Sequence, residues 1–171
     1  MDKAHFHAAL SFTLVTTAFW IALLGGIALG SRLLPARWYN HKNAFFRTRA
    51  WELRFYDALH IRAWKDYLPE LGGIVGFAKD RLPESVNERY LDRFLWETCY
   101  TEAAHWICMF AGYSYLGLLP LLETPQRYLG LFLGICTFNF FAHLPFIFIQ
   151  RYNRPRLLAL YKRLKRREER Q

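Results

Sequence analysis

The polar side chains Glu97, Glu102 and His105 lie close together in the sequence, and their types suit proton transfer. On a helix, Glu102 and His105 are three residues apart, so the carboxylate can reach the imidazole. A histidine acts as a general base when a second group fixes its tautomer and stabilises the imidazolium that forms. The same spacing fits a histidine at a membrane interface that only satisfies its own hydrogen bonds, so both interpretations stay open.

A second polar group, Asn139, His143 and Gln150, recurs at intervals of four and seven residues in an apolar stretch. These intervals place the three side chains on or near one face of a helix, which Pro145 is expected to kink. Polar groups at bilayer depth usually face other helices or a water-filled cavity. The face is therefore predicted to meet the second apolar block, 103–122, where it serves either catalysis or helix packing.

Charged and amide side chains follow directly, in the run QRYNRPR at 150–156. Its three guanidinium groups can hold a phosphate or a carboxylate through paired hydrogen bonds. The alternative is a basic stop after the apolar stretch, followed by a basic amphipathic tail. That alternative accounts for the arginines but not for the amides of Gln150 and Asn153.

Three apolar blocks, 8–30, 103–122 and 129–149, position these groups. At about 1.5 Å per residue, each block is long enough to cross a hydrocarbon core of roughly 30 Å. The 171-residue chain is 53% hydrophobic. It therefore predicts one all-α integral membrane domain, 1–171, and excludes a disordered chain and a two-domain enzyme. A cleaved signal peptide is the alternative for the first block, which is longer than a typical signal core.

Basic residues are concentrated outside the apolar blocks and give the chain a net charge of +9. Of the 23 Lys and Arg residues, 21 lie in 31–101 and 151–171, and only Lys3 and Arg127 lie elsewhere. The positive-inside rule then places both basic segments in the cytoplasm and predicts a multi-pass protein of the cytoplasmic membrane. No groove-reading motif accompanies the charge, so a nucleic-acid partner is not expected.

The segment 31–101 is not predicted to be a free loop. Between 44 and 65, apolar side chains follow helical spacing among arginines, which is typical of a helix at the membrane interface. The predicted apolar face consists of Trp51, Phe55, Ala58 and Leu59. Breaks at Pro69 and at the glycines 72–73 are expected to end this helix, and a second helix, about 84–100, leads into the second apolar block.

The cysteines Cys99, Cys108 and Cys136 have no CxxC spacing, and two of them lie inside or beside apolar blocks. They are predicted to be small buried side chains, not disulfide or zinc partners. The HxxxxD, GxSxG, Walker and HExxH patterns are absent from the sequence. No metal site and no bound cofactor are expected.

Three stretches occur in a recognisable order: IRAWK at 61–65, a helix that runs from ET at 97–98 to HW at 105–106, and FIFIQRYNRPRL at 146–157. Together they resemble the glycosyl-4,4′-diaponeurosporenoate acyltransferase family in order and spacing. The resemblance covers about residues 45–170, and QRYNRPRL is its most specific part. One departure is His143, where relatives carry asparagine before the proline.

The resemblance implies a small bacterial inner-membrane acyltransferase that esterifies a sugar hydroxyl of a membrane glycolipid. The named example is the last step of staphyloxanthin-type carotenoid biosynthesis. The implied partners are the glycolipid acceptor and an acyl thioester donor, acyl-CoA or acyl carrier protein, with no further cofactor. The positions that match the family pattern are Trp64, Lys65, Glu97, Glu102, His105, Gln150, Arg151, Asn153 and Arg154.

The hypothesis that follows is acyl transfer with His105 as the general base, oriented by Glu102 or by Glu97. The residues predicted to bind substrates are Trp64, Lys65, Asn139, His143, Gln150, Arg151, Asn153 and Arg154. Among these, the cationic side chains would hold the phosphates of the donor. The amide of Gln150 or Asn153 would donate a hydrogen bond to the developing oxyanion.

Two other functions stay open. An integral methyltransferase of the isoprenylcysteine or phospholipid type also has a few helices and a basic, Glu-Glu-containing cytoplasmic end. In this sequence the corresponding pair is Glu168-Glu169, and it is expected to leave little room for a nucleotide-binding element after it. This expectation counts against the methyltransferase. A non-catalytic membrane partner of a lipid-biosynthetic enzyme would need only a basic interfacial surface. No sequence feature reports an oligomeric state.

Overall fold

The computed structural model describes residues 3–68 and 86–170, and every regular element in these two ranges is helical. The α-helices are α1 (Lys3–Gly30), α2 (Ala50–Ala58), α3 (Ile61–Trp64), α4 (Glu88–Ala111) and α5 (Pro125–Glu168). Short 3-10 helices occupy Ser31–Leu33, Ala36–Trp38, Lys65–Tyr67 and Gly112–Leu121. The predicted all-α class is confirmed for this part of the chain.

By length and composition, two helices of the described residues could cross a membrane, one fewer than the sequence predicts. They are Ala9–Leu33, which is most of α1 with the turn after it, and Pro125–Glu168, which is α5. The predicted second span, 103–122, is not one α-helix. Helix α4 ends at Ala111, and a 3-10 helix continues over Gly112–Leu121.

Local chemistry explains the change of helix type after Ala111. Each glycine in this stretch costs an α-helix about 1 kcal/mol relative to alanine, and Pro120 has no N–H to donate. The Ser114 hydroxyl donates to the Ala111 carbonyl at 2.6 Å and so takes up an acceptor at the end of α4. The expectation of one α-helix was therefore wrong for the second half of this apolar block.

The predicted interfacial helix over 44–65 is two short helices. His60 separates α2 from α3 with a left-handed backbone, φ 51°, which ends a helix. Helix α2 buries Glu52 and Tyr56 and leaves Trp51 and Phe55 exposed by 61% and 44%. The aromatic face that the spacing predicts is thus present on α2, and the described residues leave it largely uncovered.

Helix α4 begins at Glu88, four residues later than expected. The Asn87 side chain accepts a hydrogen bond from the Tyr90 amide at 2.8 Å and caps this end of the helix. The helix then continues to Ala111, so the predicted helix and the start of the second apolar block are one element. The predicted breaks at Pro69 and 72–73 lie outside the described residues.

The chain consists of two compact units. The sequence predicts one domain over 1–171. The first unit consists of Met1–Leu34 and Ala104–His143, and the second of Pro35–Ala103 and Leu144–Gln171. In the first unit, Tyr115 stacks on Phe132 with ring centroids 4.4 Å apart. Around this stack lie Phe12, Phe19, Trp20, Leu119 and Cys136.

Three apolar clusters hold the second unit together. Their buried members are Leu91, Phe94, Leu95 and Leu157; Tyr39, Phe46, Cys99 and Tyr100; and Tyr56, Ile61 and Tyr152. Burial of a large apolar side chain stabilises a fold by roughly 1.5–3 kcal/mol. Within this unit the clusters therefore fix the segment 35–67 against α4 and α5.

Candidate functional site

Two histidines of the first unit form a hydrogen-bonded pair. His105 of α4 and His143 of α5 have their Nδ1 atoms 2.9 Å apart, and their ring centroids are 5.1 Å apart. Both side chains are half-buried. Because the two residues are 38 positions apart, the pairing depends on the packing of the two helices and not on local sequence.

The pair continues into a chain of hydrogen bonds that ends at a backbone carbonyl. His143 Nε2 lies 3.2 Å from Asn139 Oδ1, one turn earlier on α5. The Asn139 Nδ2 group in turn donates to the Cys108 carbonyl oxygen of α4 at 3.1 Å, and the Asn139 side chain is buried. The structure thus brings together three side chains that the sequence selected: His105, His143 and Asn139.

The carbonyl group at the end of this series of hydrogen bonds determines which atom of each pair is the donor. A carbonyl oxygen only accepts, so the NH₂ group of Asn139 faces Cys108 and its oxygen faces His143. His143 Nε2 must then carry a proton, and in a neutral ring His143 Nδ1 is the acceptor. The proton that it accepts is on His105 Nδ1, which leaves the lone pair of His105 on Nε2.

This arrangement gives His105 what a general base requires. His143 fixes the His105 tautomer, and the hydrogen bond between them strengthens when Nε2 takes up a proton, because the donor ring is then charged. The sequence predicts Glu102 or Glu97 for the orienting role. The structure adds His143 as the partner at Nδ1.

Glu102 belongs to the second unit, where it is fully buried and binds two arginines. Its Oε1 accepts a hydrogen bond from Arg151 Nη1 at 2.5 Å, and its Oε2 accepts one from Arg154 Nη2 at 2.7 Å. Arg154 is 1% exposed. Within this unit the two ion pairs join α4 to α5.

Glu52 of α2 completes this ionic cluster, which we define as Glu52, Glu102, Arg151 and Arg154. Arg151 Nε donates to Glu52 Oε2 at 2.7 Å, and Arg151 Nη2 donates to Oε1 at 3.2 Å. The further acceptors of the two arginines are the Thr98 hydroxyl and the carbonyls of Phe45, Phe46 and Arg47. Two carboxylates balance two guanidinium groups, so a phosphate would have to displace a carboxylate. The predicted phosphate-binding role of the two arginines stays a prediction.

Burial and pairing act in opposite directions on these charges. Burial alone would raise the pKa of Glu52, but hydrogen bonds from Arg151 and from the Arg49 amide hold that pKa below its ordinary value. Burial alone would lower the pKa of Arg151, whereas Glu52 and Glu102 raise it. Because the folded-state pKa of Glu52 is depressed, its stabilisation is present above the unfolded-state pKa and is lost as the pH falls through the folded-state pKa.

Sequence reasoning missed Glu52. The available signal is that Glu52 is the only carboxylate between 44 and 56, in a stretch that holds three arginines. Tyr56, one helical turn later, donates to Glu52 Oε2 at 3.1 Å and is buried beside it. The position of Glu52 among arginines is consistent with a buried ion pair, but the same pattern holds for Asp57 in this helix, whose side chain is 64% exposed.

Two predicted binding residues, Trp64 and Lys65, have local partners. Trp64 Nε1 donates to the Leu59 carbonyl at 2.9 Å, and Lys65 Nζ lies 2.5 Å from a carboxylate oxygen of Asp66. Asp66 is 73% exposed at its side chain, so this ion pair contributes little to stability. These local contacts do not indicate that Trp64 or Lys65 binds a ligand, so their predicted binding role stays a prediction.

Gln150 is buried on α5, and its Oε1 accepts no hydrogen bond from residues 3–68 or 86–170. A buried acceptor without a donor costs about 1–3 kcal/mol, so a donor from a ligand would be favoured there. The two other predicted residues of this unit, Glu97 and Asn153, are buried on α4 and half-buried on α5. The atom of Gln150 that lacks a partner is thus an acceptor and not the donor that an oxyanion would need.

All three cysteines are free and buried, as the sequence predicts. Burial raises the pKa of Cys99 to about 11, so little thiolate exists at neutral pH. We expect maleimide at pH 7 to leave Cys99 unmodified in the folded protein and to label it after denaturation, as measured by peptide mass spectrometry. An Arg167→Cys variant, at an exposed site near the end of α5, is the labelling control. Rapid labelling of Cys99 in the folded protein would contradict its burial.

Metal ligands are not clustered in the part of the chain that the structure describes. No three His, Cys, Asp or Glu side chains among residues 3–68 and 86–170 are arranged to hold a metal ion. Three ring nitrogens of the histidine pair, both Nδ1 atoms and His143 Nε2, are linked by hydrogen bonds to each other and to Asn139.

The described residues form an all-helical protein that holds a hydrogen-bonded pair of histidines, and a neutral histidine of this kind has the chemistry of a general base. A family model described as glycosyl-4,4′-diaponeurosporenoate acyltransferase matches residues 35–163. The chain belongs to this family and is an acyltransferase by that membership. The matched range contains the histidine pair and the ionic cluster.

Two relatives with this name illustrate the similarity. The protein of Staphylococcus aureus (strain bovine RF122 / ET3-1) is 29% identical over 159 residues, with 89% of each chain covered. The protein of Staphylococcus haemolyticus (strain JCSC1435) is 28% identical over 168 residues, with 92% of this chain and 89% of the relative covered. No solved structure matches the chain.

Proposed function

We propose that this chain transfers a fatty acyl group from a thioester donor to a sugar hydroxyl of a membrane glycolipid. The family name specifies a glycosyl-diaponeurosporenoate acceptor, and a glycosylated carotenoid or a related glycolipid fits that description. The observation that carries the proposal is the His105–His143 pair, which provides an oriented general base in an acyltransferase family. The reaction is proposed for the cytoplasmic face of the bacterial cytoplasmic membrane.

In the proposed reaction, His105 Nε2 removes the proton of the sugar hydroxyl while the hydroxyl oxygen attacks the thioester carbonyl carbon. A C–O bond forms, and the carbonyl electrons move onto oxygen. Collapse of this intermediate breaks the C–S bond, and the imidazolium returns its proton to the departing thiolate. The products are an ester and a free thiol, and His105 is again neutral. His143 keeps the ring in one tautomer throughout.

Membrane insertion is supported by the apolar surface that the chain leaves exposed. No residue in the most apolar window of Ala9–Leu33 is buried by the described protein, and a bilayer would cover this surface. The segment 104–121 adds eight α-helical and ten 3-10 residues, which together reach about 32 Å. A third span of mixed helix type is therefore long enough, and three spans leave 31–101 and 151–171 on the cytoplasmic side.

Gln150 is the residue that we propose for binding a hydroxyl group of a ligand within the second unit. Its buried Oε1 lacks a donor among residues 3–68 and 86–170. A sugar offers several O–H donors, and each could satisfy this oxygen at a hydrogen-bond distance of about 2.7–2.8 Å. The proposed role differs from the predicted oxyanion contact because it uses the oxygen of the amide.

Comparative lipid mass spectrometry of the native host tests the proposal. Hosts with the gene intact, deleted, or restored as wild type or as His105→Ala are compared at matched protein levels. We expect a glycolipid that carries one fatty acyl group to disappear on deletion, to return with wild type, and to stay absent with His105→Ala. An unchanged set of acylated lipids after deletion would overturn the proposal and favour a non-catalytic membrane partner.

Gly112 makes room for the Asn139 amide. A Cβ atom at this position would overlap Asn139 Nδ2 and come within 3.3 Å of Trp20. We therefore expect Gly112→Ala to displace Asn139, to leave His143 without its acceptor, and to lower the acyl-transfer rate by roughly ten-fold, since mispositioned catalytic groups lose at least that much. The same host lipid analysis, at matched protein levels, measures the effect.

Gly117→Ala is the matched control for this prediction. It lies in the same 3-10 helix, and nothing lies within 4 Å of a Cβ atom there. Equal activity of the Gly112→Ala variant and the wild type would mean that Asn139 does not position the histidines.

A further inference from the structure

A cavity of about 420 Å³ lies in the second unit, and the residues that line it are not among those that the sequence selected. Its walls consist of His41, Lys42, Leu158, Tyr161, Lys162, Lys165, Arg166 and Glu169. This volume falls within the range of small-molecule sites, roughly 300–1,000 Å³. Four cationic side chains and one carboxylate line it, so its formal charge is +3 when His41 is neutral.

The lining residues of α5 share one face of the helix. Positions 158, 161, 162, 165, 166 and 169 follow the three- and four-residue intervals of an α-helix. Lys42 closes the cavity from the segment before α2, where its backbone N–H donates to the Asn40 side chain at 2.9 Å. The cavity is therefore built by two separate parts of the chain, while Arg163 and Arg167 do not line it.

The cations in this cavity repel one another. Lys165 and Arg166 lie three and four positions after Lys162, and like charges at these spacings destabilise a helix by a few tenths of a kcal/mol per pair. No ion pair joins these side chains to a carboxylate of residues 3–68 or 86–170, so Glu169 offsets the repulsion only in part. An anion in the cavity would relieve it.

The chemistry of the walls selects a phosphate over a simple carboxylate. Three lysines and one arginine offer many N–H donors, which suits the several oxygens of a phosphate ester. His41 is half-buried, and burial, Lys42 and Arg154 lower its pKa against the opposing effect of Asp92. Its neutral ring still has an N–H to donate. Leu158 and the Tyr161 ring supply an apolar wall beside these donors.

We propose that this cavity binds the phosphate groups of a small phosphate ester, and that within the proposed function this ester is the acyl donor. Coenzyme A and the carrier-protein prosthetic group both present phosphate esters to such a site. An anionic phospholipid headgroup offers the same chemistry from a second source. The assignment to the donor rests on the proposed function, whereas phosphate binding in this cavity does not.

Equilibrium binding of coenzyme A, measured by isothermal titration calorimetry, tests the proposal. The full chain is placed in phosphatidylcholine nanodiscs, and the free thiol excludes acyl transfer from the measurement. We expect Lys162→Gln with Lys165→Gln to weaken coenzyme A binding at least ten-fold, because two charge-assisted contacts are lost. The matched control is Arg163→Gln with Arg167→Gln, which removes the same charge from the same helix and should change the affinity by less than about two-fold.

A second arm separates the two sources of phosphate. The same variants are titrated with a short-chain phosphatidylglycerol in place of coenzyme A. Binding of phosphatidylglycerol alone, lost only in the Lys162 and Lys165 variant, would support the cavity with a headgroup as its ligand. Equal weakening by both double variants, or no binding of either probe, would overturn the proposal. The His105→Gln variant distinguishes the two proposals. If this variant is inactive but binds coenzyme A normally, phosphate binding in the cavity does not depend on the acyl-transfer reaction.

Discussion

Replacing His105 by glutamine is expected to lower the acyl-transfer rate by roughly 10²–10⁴-fold, the usual contribution of a general base. Glutamine keeps an N–H that can donate to His143 Nδ1, so the hydrogen-bond chain through Asn139 keeps its donor. It has no nitrogen that takes up a proton near neutral pH, so the sugar hydroxyl loses its base. The measurement is the accumulation of the acylated lipid in a deletion host at matched membrane-protein levels.

His7→Gln is the matched control, because it makes the same change at an exposed histidine of α1. It should leave the rate within about two-fold of wild type, as for a surface substitution away from any special feature. Undiminished acyl transfer by a folded His105→Gln protein would sink the assignment of His105 as base. The lipid product would then have to form without this histidine.

Substitutions at His143 separate positioning from simple packing. His143→Asn keeps an acceptor for the His105 N–H, and it should retain more activity than His143→Leu, which offers none. Both variants keep His105 itself, so a difference between them reports the hydrogen bond. Equal losses in the two variants would mean that His143 acts through packing alone.

Periodic patterns in the sequence predict the helices better than they predict where helices change. The spacing of apolar residues indicates α1 and α5, whereas the change from α-helix to 3-10 helix after Ala111 depends on glycine, proline and serine chemistry within an equally apolar block. The left-handed backbone at His60 likewise divides one predicted helix into α2 and α3. Hydropathy does not report such local backbone preferences.

The candidate site shows the same division between local and long-range information. The polar face of α5 was predictable from intervals of four residues, and that face includes Asn139 and His143. The sequence also predicts that this face meets the second apolar block, but the pairing of His143 with His105 in particular, 38 positions away, depends on how the helices pack. The spacing of Glu102 and His105 suggests a carboxylate–imidazole contact, which stays a prediction. The two arginines that bind Glu102 lie 49 and 52 positions further along the chain, and no local interval in the sequence reports them.

The largest expected effect on stability comes from Glu102→Gln. The substitution leaves Arg151 and Arg154 with one carboxylate between them, and an uncompensated buried charge destabilises a fold by roughly 3–5 kcal/mol. For a domain of this size that corresponds to a fall in Tm of about 6–20 °C. Thermal unfolding of the purified protein in detergent, followed by far-UV circular dichroism, measures the shift. Glu168→Gln, at an exposed carboxylate of the same unit, is the control and should leave the Tm almost unchanged.

A second substitution shows whether charge balance is the cause. Glu102→Gln combined with Arg154→Gln removes one charge of each sign, so the double variant should be more stable than the sum of the two single losses predicts.

The Tm and the acyl-transfer rate of Glu102→Gln together show whether Glu102 has a structural role or orients His105. A structural role lowers the Tm and leaves the rate per folded molecule intact at low temperature, whereas the predicted orienting role on His105 would lower that rate and leave the Tm unchanged. Because both oxygens of Glu102 are already bound by arginines, we expect the loss of stability.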